Sequence, residues 1–170
     1  RGLHVSVQGL GNVGYNLCKL LHADGARLSV TDVQTERVDN AVNEFGATPV
    51  ALNAIYDVEA DVFAPCALGA ILNATTLPRL KVPVVAGAAN NQLATAAEGE
   101  ALRARGILYA PDYVINAGGL INVYYEHVAR QKGIAPNTAE VKAHVEKIAE
   151  TTQAIFRKAE KEGIATAEAS

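Results

Sequence analysis

Short apolar runs alternate with amphipathic segments along this chain. The apolar runs predict strands at residues 3–7, 26–31, 48–50, 61–64, 82–86 and 107–110. Apolar residues that recur every three or four positions predict helices at residues 13–24, 35–45, 75–78, 95–105 and 119–130. A long last helix is predicted from an N-cap at Asn137 or Thr138 to about residue 162. Strands that alternate with helices and are rich in Val, Ile, Leu and Ala predict an α/β fold with a doubly wound, mostly parallel sheet.

The composition narrows the class of protein. A chain of 170 residues corresponds to about one domain, and its 49% apolar content is sufficient for a core. The net charge of −3 and the lack of a basic stripe argue against a nucleic-acid partner. No apolar run approaches the ~20 residues needed to cross a bilayer, so we expect no membrane partner. Two distant cysteines, Cys18 and Cys66, give no sign of an oxidising compartment, and we expect a cytoplasmic protein.

The chain begins at Arg1, without Met or a signal peptide, and enters a strand pattern at once. We therefore expect residues 1–170 to form one domain that has been separated from a preceding one.

Three glycines follow the first predicted strand with the spacing Gly9-x-Gly11-x-x-Gly14. This spacing is the dinucleotide-binding fingerprint of Rossmann-type folds, and it carries weight here because a strand precedes it and a helix follows it. Gly9 would permit the tight turn, Gly11 would let the main chain approach a pyrophosphate, and Gly14 would let the helix pack on the strand. The alternative is a glycine-rich turn that binds nothing.

Asp32 ends the second predicted strand. Its distance from Gly14 is close to the ~20 residues expected between the glycine motif and a carboxylate that binds the adenosine ribose. Its charge would repel a 2′-phosphate, and the adjacent Val33 and Gln34 supply no cation. The sequence therefore favours NAD over NADP, although Arg37 lies close enough to leave NADP open.

Four segments in order carry a resemblance to a known family. They are residues 7–14 (VQGLGNVG), 61–69 (DVFAPCALG), 85–93 (VAGAANNQL) and 109–119 (YAPDYVINAGG). Together they resemble the amino acid dehydrogenases, most closely the leucine, phenylalanine and valine dehydrogenase branch of the glutamate dehydrogenase superfamily. The resemblance extends over nearly the whole chain, to about Ala165.

The resemblance implies the NAD-binding domain of a two-domain enzyme that reversibly deaminates an apolar L-amino acid to its 2-oxo acid and ammonia. It implies that residues 64–67 form a loop along the middle of the cofactor. It also places Ala89 and Asn90 at the nicotinamide ribose and Asn116 at both the nicotinamide end and the substrate carboxylate. The implied cofactor contacts are Gly9, Gly11, Asn12, Val13, Gly14, Asp32, Val33, Ala64, Pro65, Cys66, Ala67, Ala89, Asn90 and Asn116.

The same residues have simpler interpretations. Asn90 and Asn116 could be turn or cap residues, although their amides suit a carboxamide, a hydroxyl or a carboxylate. Cys66 has no His or carboxylate in its own stretch, which favours a small loop residue over a nucleophile. The four histidines are scattered without metal-ligand spacing, so no metal site is predicted.

The family's catalytic lysines and aspartate lie in its N-terminal domain, and nothing in these 170 residues matches their motifs. The resemblance therefore implies a fragment that binds NAD without turning over substrate, and a homo-oligomer for the full-length protein. The sequence does not identify the amino acid. The rival interpretation is a non-catalytic NAD-sensing regulatory domain, which shares the glycine pattern but gives no reason for the later motifs.

Overall fold

The described residues form one sheet of six strands, in which every neighbouring pair is parallel. The computed structural model describes residues 2–170, so Arg1 of the predicted domain lies outside the described residues. The strands are β1 (His4–Gln8), β2 (Arg27–Thr31), β3 (Thr48–Pro49), β4 (Val62–Pro65), β5 (Val84–Val85) and β6 (Leu108–Tyr109). Their spatial order is β3-β2-β1-β4-β5-β6, and each neighbouring pair is parallel. The predicted doubly wound sheet is confirmed.

Residues 2–170 contain seven α-helices, three of them between strands and four after the last strand. They are α1 (Asn12–Ala23), α2 (Thr35–Phe45), α3 (Ala96–Ala104), α4 (Asp112–Ile115), α5 (Gly118–Gln131), α6 (Thr138–Glu162) and α7 (Thr166–Ala169). Asn137 is the N-cap of α6, because its side chain accepts hydrogen bonds from the backbone N–H groups of Ala139 and Glu140. The long C-terminal helix and one of the two predicted caps are thus confirmed.

Three short elements were outside the reach of hydrophobic periodicity. Helices α4 and α7 have only four residues each, and a 3-10 turn at Ile55–Asp57 has three. A helical face cannot repeat within so short a segment. The helix predicted at 75–78 is a 3-10 turn at Leu77–Arg79, with Pro78 in its first turn.

Among the described residues, two apolar clusters pack α1, α2 and α3 against the sheet. One joins β1 and β2 to α1 and α2 and includes Val7, Val30 and Phe45. The other joins β4, β5 and β6 to α3 and includes Phe63 and Leu102. Burying a side chain of this size contributes about 1.5–3 kcal/mol. This packing therefore stabilises the sheet and fixes the positions at which the loops leave its strands.

The order in which successive strands join the sheet reverses direction between β1 and β4. From β1 the chain moves outward to β2 and β3, and it then returns to the other side of β1 to form β4, β5 and β6. In such sheets ligands bind at this switch point, beyond the carboxyl ends of the strands. Within residues 2–170, no helix has both the length and the apolar content required to span a membrane.

Candidate functional site

The turn after β1 is held tightly against its neighbours. Gly9 has φ of +96°, a left-handed conformation that favours glycine, and its N–H donates to the Thr31 carbonyl over 2.8 Å. A Cβ at Gly14 would overlap the carbonyl oxygen of Gly9. The tight turn and the close helix–strand packing predicted for these two glycines are both confirmed.

The first turn of α1 faces outward from this turn. Gly11 is its N-cap, no side chain caps the helix among the described residues, and its first turn contains no acidic residue. A Cβ at Gly11 would meet nothing within 4 Å, and Asn12 and Val13 are exposed. First-turn N–H groups have no partner inside a helix and lie at the positive end of its dipole. The main chain here is therefore open to a negatively charged group.

Asp32 lies beside the glycine turn, directly after β2. Its Oδ2 accepts a hydrogen bond from the Leu10 N–H over 2.6 Å, and its Oδ1 accepts one from the Gln34 N–H over 2.8 Å. The next side chain, Val33, is 79% exposed. The carboxylate is thus fixed next to the first turn of α1, as the predicted spacing requires.

The loop after β4 approaches α1 from the other side of the switch point. The Cys66 N–H donates to the Gln8 carbonyl over 2.7 Å, and a Cβ at Gly9 would lie 2.7 Å from Cβ of Ala67. Leu68, which the sequence did not single out, is 76% exposed at the same edge. The loops after β1 and β4 are therefore in direct contact at the switch point.

One prediction about this segment is wrong. Ala64 and Pro65 do not belong to a loop, because they are the last two residues of β4 and pair with Val7 and Gln8. Both are buried in the sheet, which leaves Cys66 and Ala67 as the loop residues. The strand predicted from the apolar pattern at 61–64 already contains Ala64, and the observed strand extends one residue further, to Pro65.

The loop after β5 is supported by a buried amide. The Ala89 N–H donates to the Pro65 carbonyl over 2.9 Å, which joins this loop to the end of β4. Gln92 is 0% exposed, and its Nε2 donates to the carbonyl oxygens of Gly87 and Ala89 over 2.7 and 2.9 Å. Gln92 therefore fixes the loop that carries Asn90. The role of Gln92 was not predictable, because a lone Gln among small and polar residues has no distinguishing pattern.

Asn90 and Asn116 come together although they belong to different loops. Asn116 lies at the end of α4, and its Nδ2 donates to Oδ1 of Asn90 over 2.6 Å. Each amide retains a second polar atom for a ligand. The two side chains line a cavity of about 500 Å³ together with Asn91, Asp112, Tyr113, Ala117 and Leu120.

The predicted contact residues therefore lie at the carboxyl ends of the strands or in the loops just beyond them, and Ala64, Pro65 and Ala89 among them are buried. Asp32 and the first turn of α1 lie towards one end of this edge, and the Asn90–Asn116 pair lies towards the other. Residues 2–170 contain no group of three or more His, Cys, Asp or Glu side chains arranged to hold a metal ion.

A parallel sheet with this strand order, and with a glycine turn at its switch point, defines the chain as a doubly wound α/β domain of the Rossmann type. The family model described as Glutamate/Leucine/Phenylalanine/Valine dehydrogenase matches residues 29–170, and the chain belongs to this family.

Curated relatives and solved structures agree with this assignment. The chain is 50% identical to leucine dehydrogenase of Bacillus cereus over 165 residues, which is 97% of this chain and 43% of the relative. It is 47% identical to L-tryptophan dehydrogenase of Nostoc punctiforme over 170 residues, which is 99% of this chain and 46% of the relative. The crystal structure of that tryptophan dehydrogenase superposes with a TM-score of 0.94 at 46% identity, covering 99% of this chain and 49% of that one.

A more distant structure shares the fold. The hetero-hexameric glutamate dehydrogenase of Thermus thermophilus superposes with a TM-score of 0.78 at 26% identity, covering 99% of this chain and 44% of that chain. This chain spans less than half the length of the curated relatives named above.

Proposed function

We propose that this domain binds NAD in a crevice along the carboxyl edge of the sheet, beside the loops after β1 and β4. The observation that carries the proposal is the open first turn of α1, where a Cβ at Gly11 would meet nothing within 4 Å, with the Asp32 carboxylate fixed beside it. The first-turn N–H groups of Asn12 and Val13 would hold the pyrophosphate, and Asp32 would accept hydrogen bonds from the ribose hydroxyls.

The domain would serve as the cofactor half of an amino acid dehydrogenase that converts an apolar L-amino acid into its 2-oxo acid and ammonia. Bound NAD would accept the hydride that leaves the substrate's Cα. The Asn90–Asn116 pair would orient the nicotinamide carboxamide and the substrate carboxylate, while Ala67 and Leu68 would keep water from the crevice. The leucine and tryptophan dehydrogenases among its relatives support this proposal.

The paired asparagines also favour a dehydrogenase over an NAD-sensing regulatory domain, because sensing alone requires no polar pair at the far end of the crevice. The acid–base residues would come from the rest of a longer polypeptide. We therefore expect this chain alone to bind NAD without deaminating an amino acid.

The Gly11→Ala variant tests the proposed pyrophosphate site. The new methyl group would meet no protein atom, so the variant is expected to unfold at the same temperature as the wild type. The same methyl group would stand where the phosphates approach, and NADH affinity should fall by at least about tenfold. Fluorescence titration with NADH measures the affinity, and unchanged affinity would refute this phosphate position.

The two cysteines provide an independent probe of the crevice. Burial raises the pKa of the Cys66 thiol, and it raises that of Cys18 to about 12. At pH 8 both thiols therefore hold less thiolate than a free cysteine, and alkylation should be slow and should accelerate as pH rises towards these raised pKa values. Cys18 is fully buried and serves as the internal control.

Iodoacetamide labelling followed by mass spectrometry measures both rates. We expect slow labelling of Cys66, which is only partly buried, and labelling of Cys18 only after unfolding. Saturating NADH should slow the labelling of Cys66 further, because the loop after β4 would be covered. If NADH leaves the Cys66 rate unchanged, this loop does not line the cofactor site.

A further inference from the structure

A charged pair lies at the adenosine end of the crevice. Nη1 of Arg37, on α2, is 3.6 Å from Oδ2 of Asp32, and the Asp32 side chain is only 5% exposed while that of Arg37 is 41% exposed. Both carboxylate oxygens already accept backbone hydrogen bonds, from Leu10 and Gln34. The Asp32 carboxylate is therefore largely covered, although each of its oxygens keeps a further acceptor position, whereas the Arg37 side chain is open to solvent.

The cavity beside this pair is rich in hydrogen-bond donors. It has a volume of about 320 Å³ and lies between the glycine turn, α1 and α2. None of the described residues that line it is acidic, and one is a cation; they are Leu10, Gly11, Asn12, Tyr15, Asn16, Arg37 and Asn40. A group entering this cavity would therefore meet the Arg37 guanidinium and amide side chains before the Asp32 charge.

We propose that Arg37 determines the selectivity between NAD and NADP by providing a ligand for the 2′-phosphate of the adenosine ribose. The inference rests on the proposed function, because it requires the dinucleotide to lie in this crevice. A guanidinium forms charge-assisted hydrogen bonds with phosphate, whereas an uncompensated carboxylate at this position would repel it.

The consequence is a site that prefers NAD but tolerates NADP. Asp32 retains its ribose-binding role, and the guanidinium offsets most of the repulsion that the carboxylate would exert on a 2′-phosphate. The wild-type chain should therefore bind NADPH no more than about tenfold more weakly than NADH. This differs from the expectation based on Asp32 alone, which is near-exclusive use of NAD.

Fluorescence titrations of the 170-residue chain with NADH and NADPH test the proposal. The Arg37→Ala variant should lose a further factor of about ten in NADPH affinity while its NADH affinity stays within about twofold of the wild type. Arg37→Lys keeps the charge but not the planar guanidinium, so its NADPH affinity should lie between those of the wild type and Arg37→Ala. Arg103→Ala is the matched control, because Arg103 also pairs with a carboxylate on an exposed helix, that of Glu100 over 2.9 Å. It should change neither affinity.

The outcomes separate this inference from the proposed function. If the wild type binds neither cofactor, the proposed function is wrong. If it binds NADH and Arg37→Ala leaves the NADPH-to-NADH ratio unchanged, or weakens both cofactors equally, the role assigned to Arg37 is refuted while the function stands. Salt provides a measurement that needs no variant, since NADPH binding by the wild type should weaken more steeply with ionic strength than NADH binding. Equal salt dependence would also refute the role of Arg37.

Discussion

Gly14→Ala is expected to lower the free energy of unfolding by about 2–3 kcal/mol and to remove most of the NADH affinity. A Cβ at this position would overlap the Gly9 carbonyl oxygen and would lie 3.1 Å from Cβ of Cys66. Neither neighbour can move easily, because one is backbone and the other belongs to the loop pinned to β1 by the Cys66–Gln8 hydrogen bond. The start of α1 must therefore shift away from the sheet, and the first-turn N–H groups shift with it.

Urea unfolding and NADH titration measure the two effects. Gly119→Ala is the matched control, since Gly119 is also a helical glycine and a Cβ there would meet nothing within 4 Å. It should leave stability unchanged or raise it by up to about 1 kcal/mol through helix propensity. A Gly14→Ala variant as stable as the wild type would show that α1 does not depend on this close approach.

Gln92→Ala is the second substitution with a large expected effect, a loss of about 2–4 kcal/mol of stability. In the wild type, Nε2 of Gln92 donates hydrogen bonds to the carbonyl oxygens of Gly87 and Ala89, and the side chain is 0% exposed. The substitution would leave two buried acceptors without a donor and a cavity in their place. The loop that carries Asn90 would lose its support, so NADH affinity should also fall.

Two companion variants isolate the cause. Gln92→Met fills the space without donating hydrogen bonds, so it should recover only the part of the loss that the cavity causes. Asn91→Gly changes the neighbouring exposed residue, whose φ of +52° favours glycine, and should alter stability by less than about 0.5 kcal/mol. If Gln92→Met is as stable as the wild type, the two hydrogen bonds do not hold the loop.

The parts of the site that follow from local rules were predictable. Gly9, Gly14 and Asp32 lie where the fingerprint spacing places them, because a strand, a tight turn and a helix leave little freedom. The fold class was also predictable, because long amphipathic helices and buried strands each have a clear hydrophobic pattern in the sequence.

The parts that depend on contacts between distant segments were not predictable. The Asn90–Asn116 hydrogen bond depends on helix α4, which places Asn116 at its end. This helix has only four residues, too few for a hydrophobic pattern to repeat in the sequence. The orientation of Arg37 and Asp32 depends on how the start of α2 packs beside the glycine turn, and the sequence left it open. The resemblance placed Ala64 and Pro65 in a loop, and the strand predicted at 61–64 extends one residue further, to Pro65, because strand pairing there is decided by β1 and not by local composition.

Isothermal titration of the wild-type chain with NADH measures whether this domain binds the cofactor. We expect saturable binding of one NADH per chain at submillimolar concentration, with the affinity reduced by at least about tenfold in Gly11→Ala. An absence of saturable heat up to millimolar NADH, from a chain that circular dichroism shows to be folded, would contradict it.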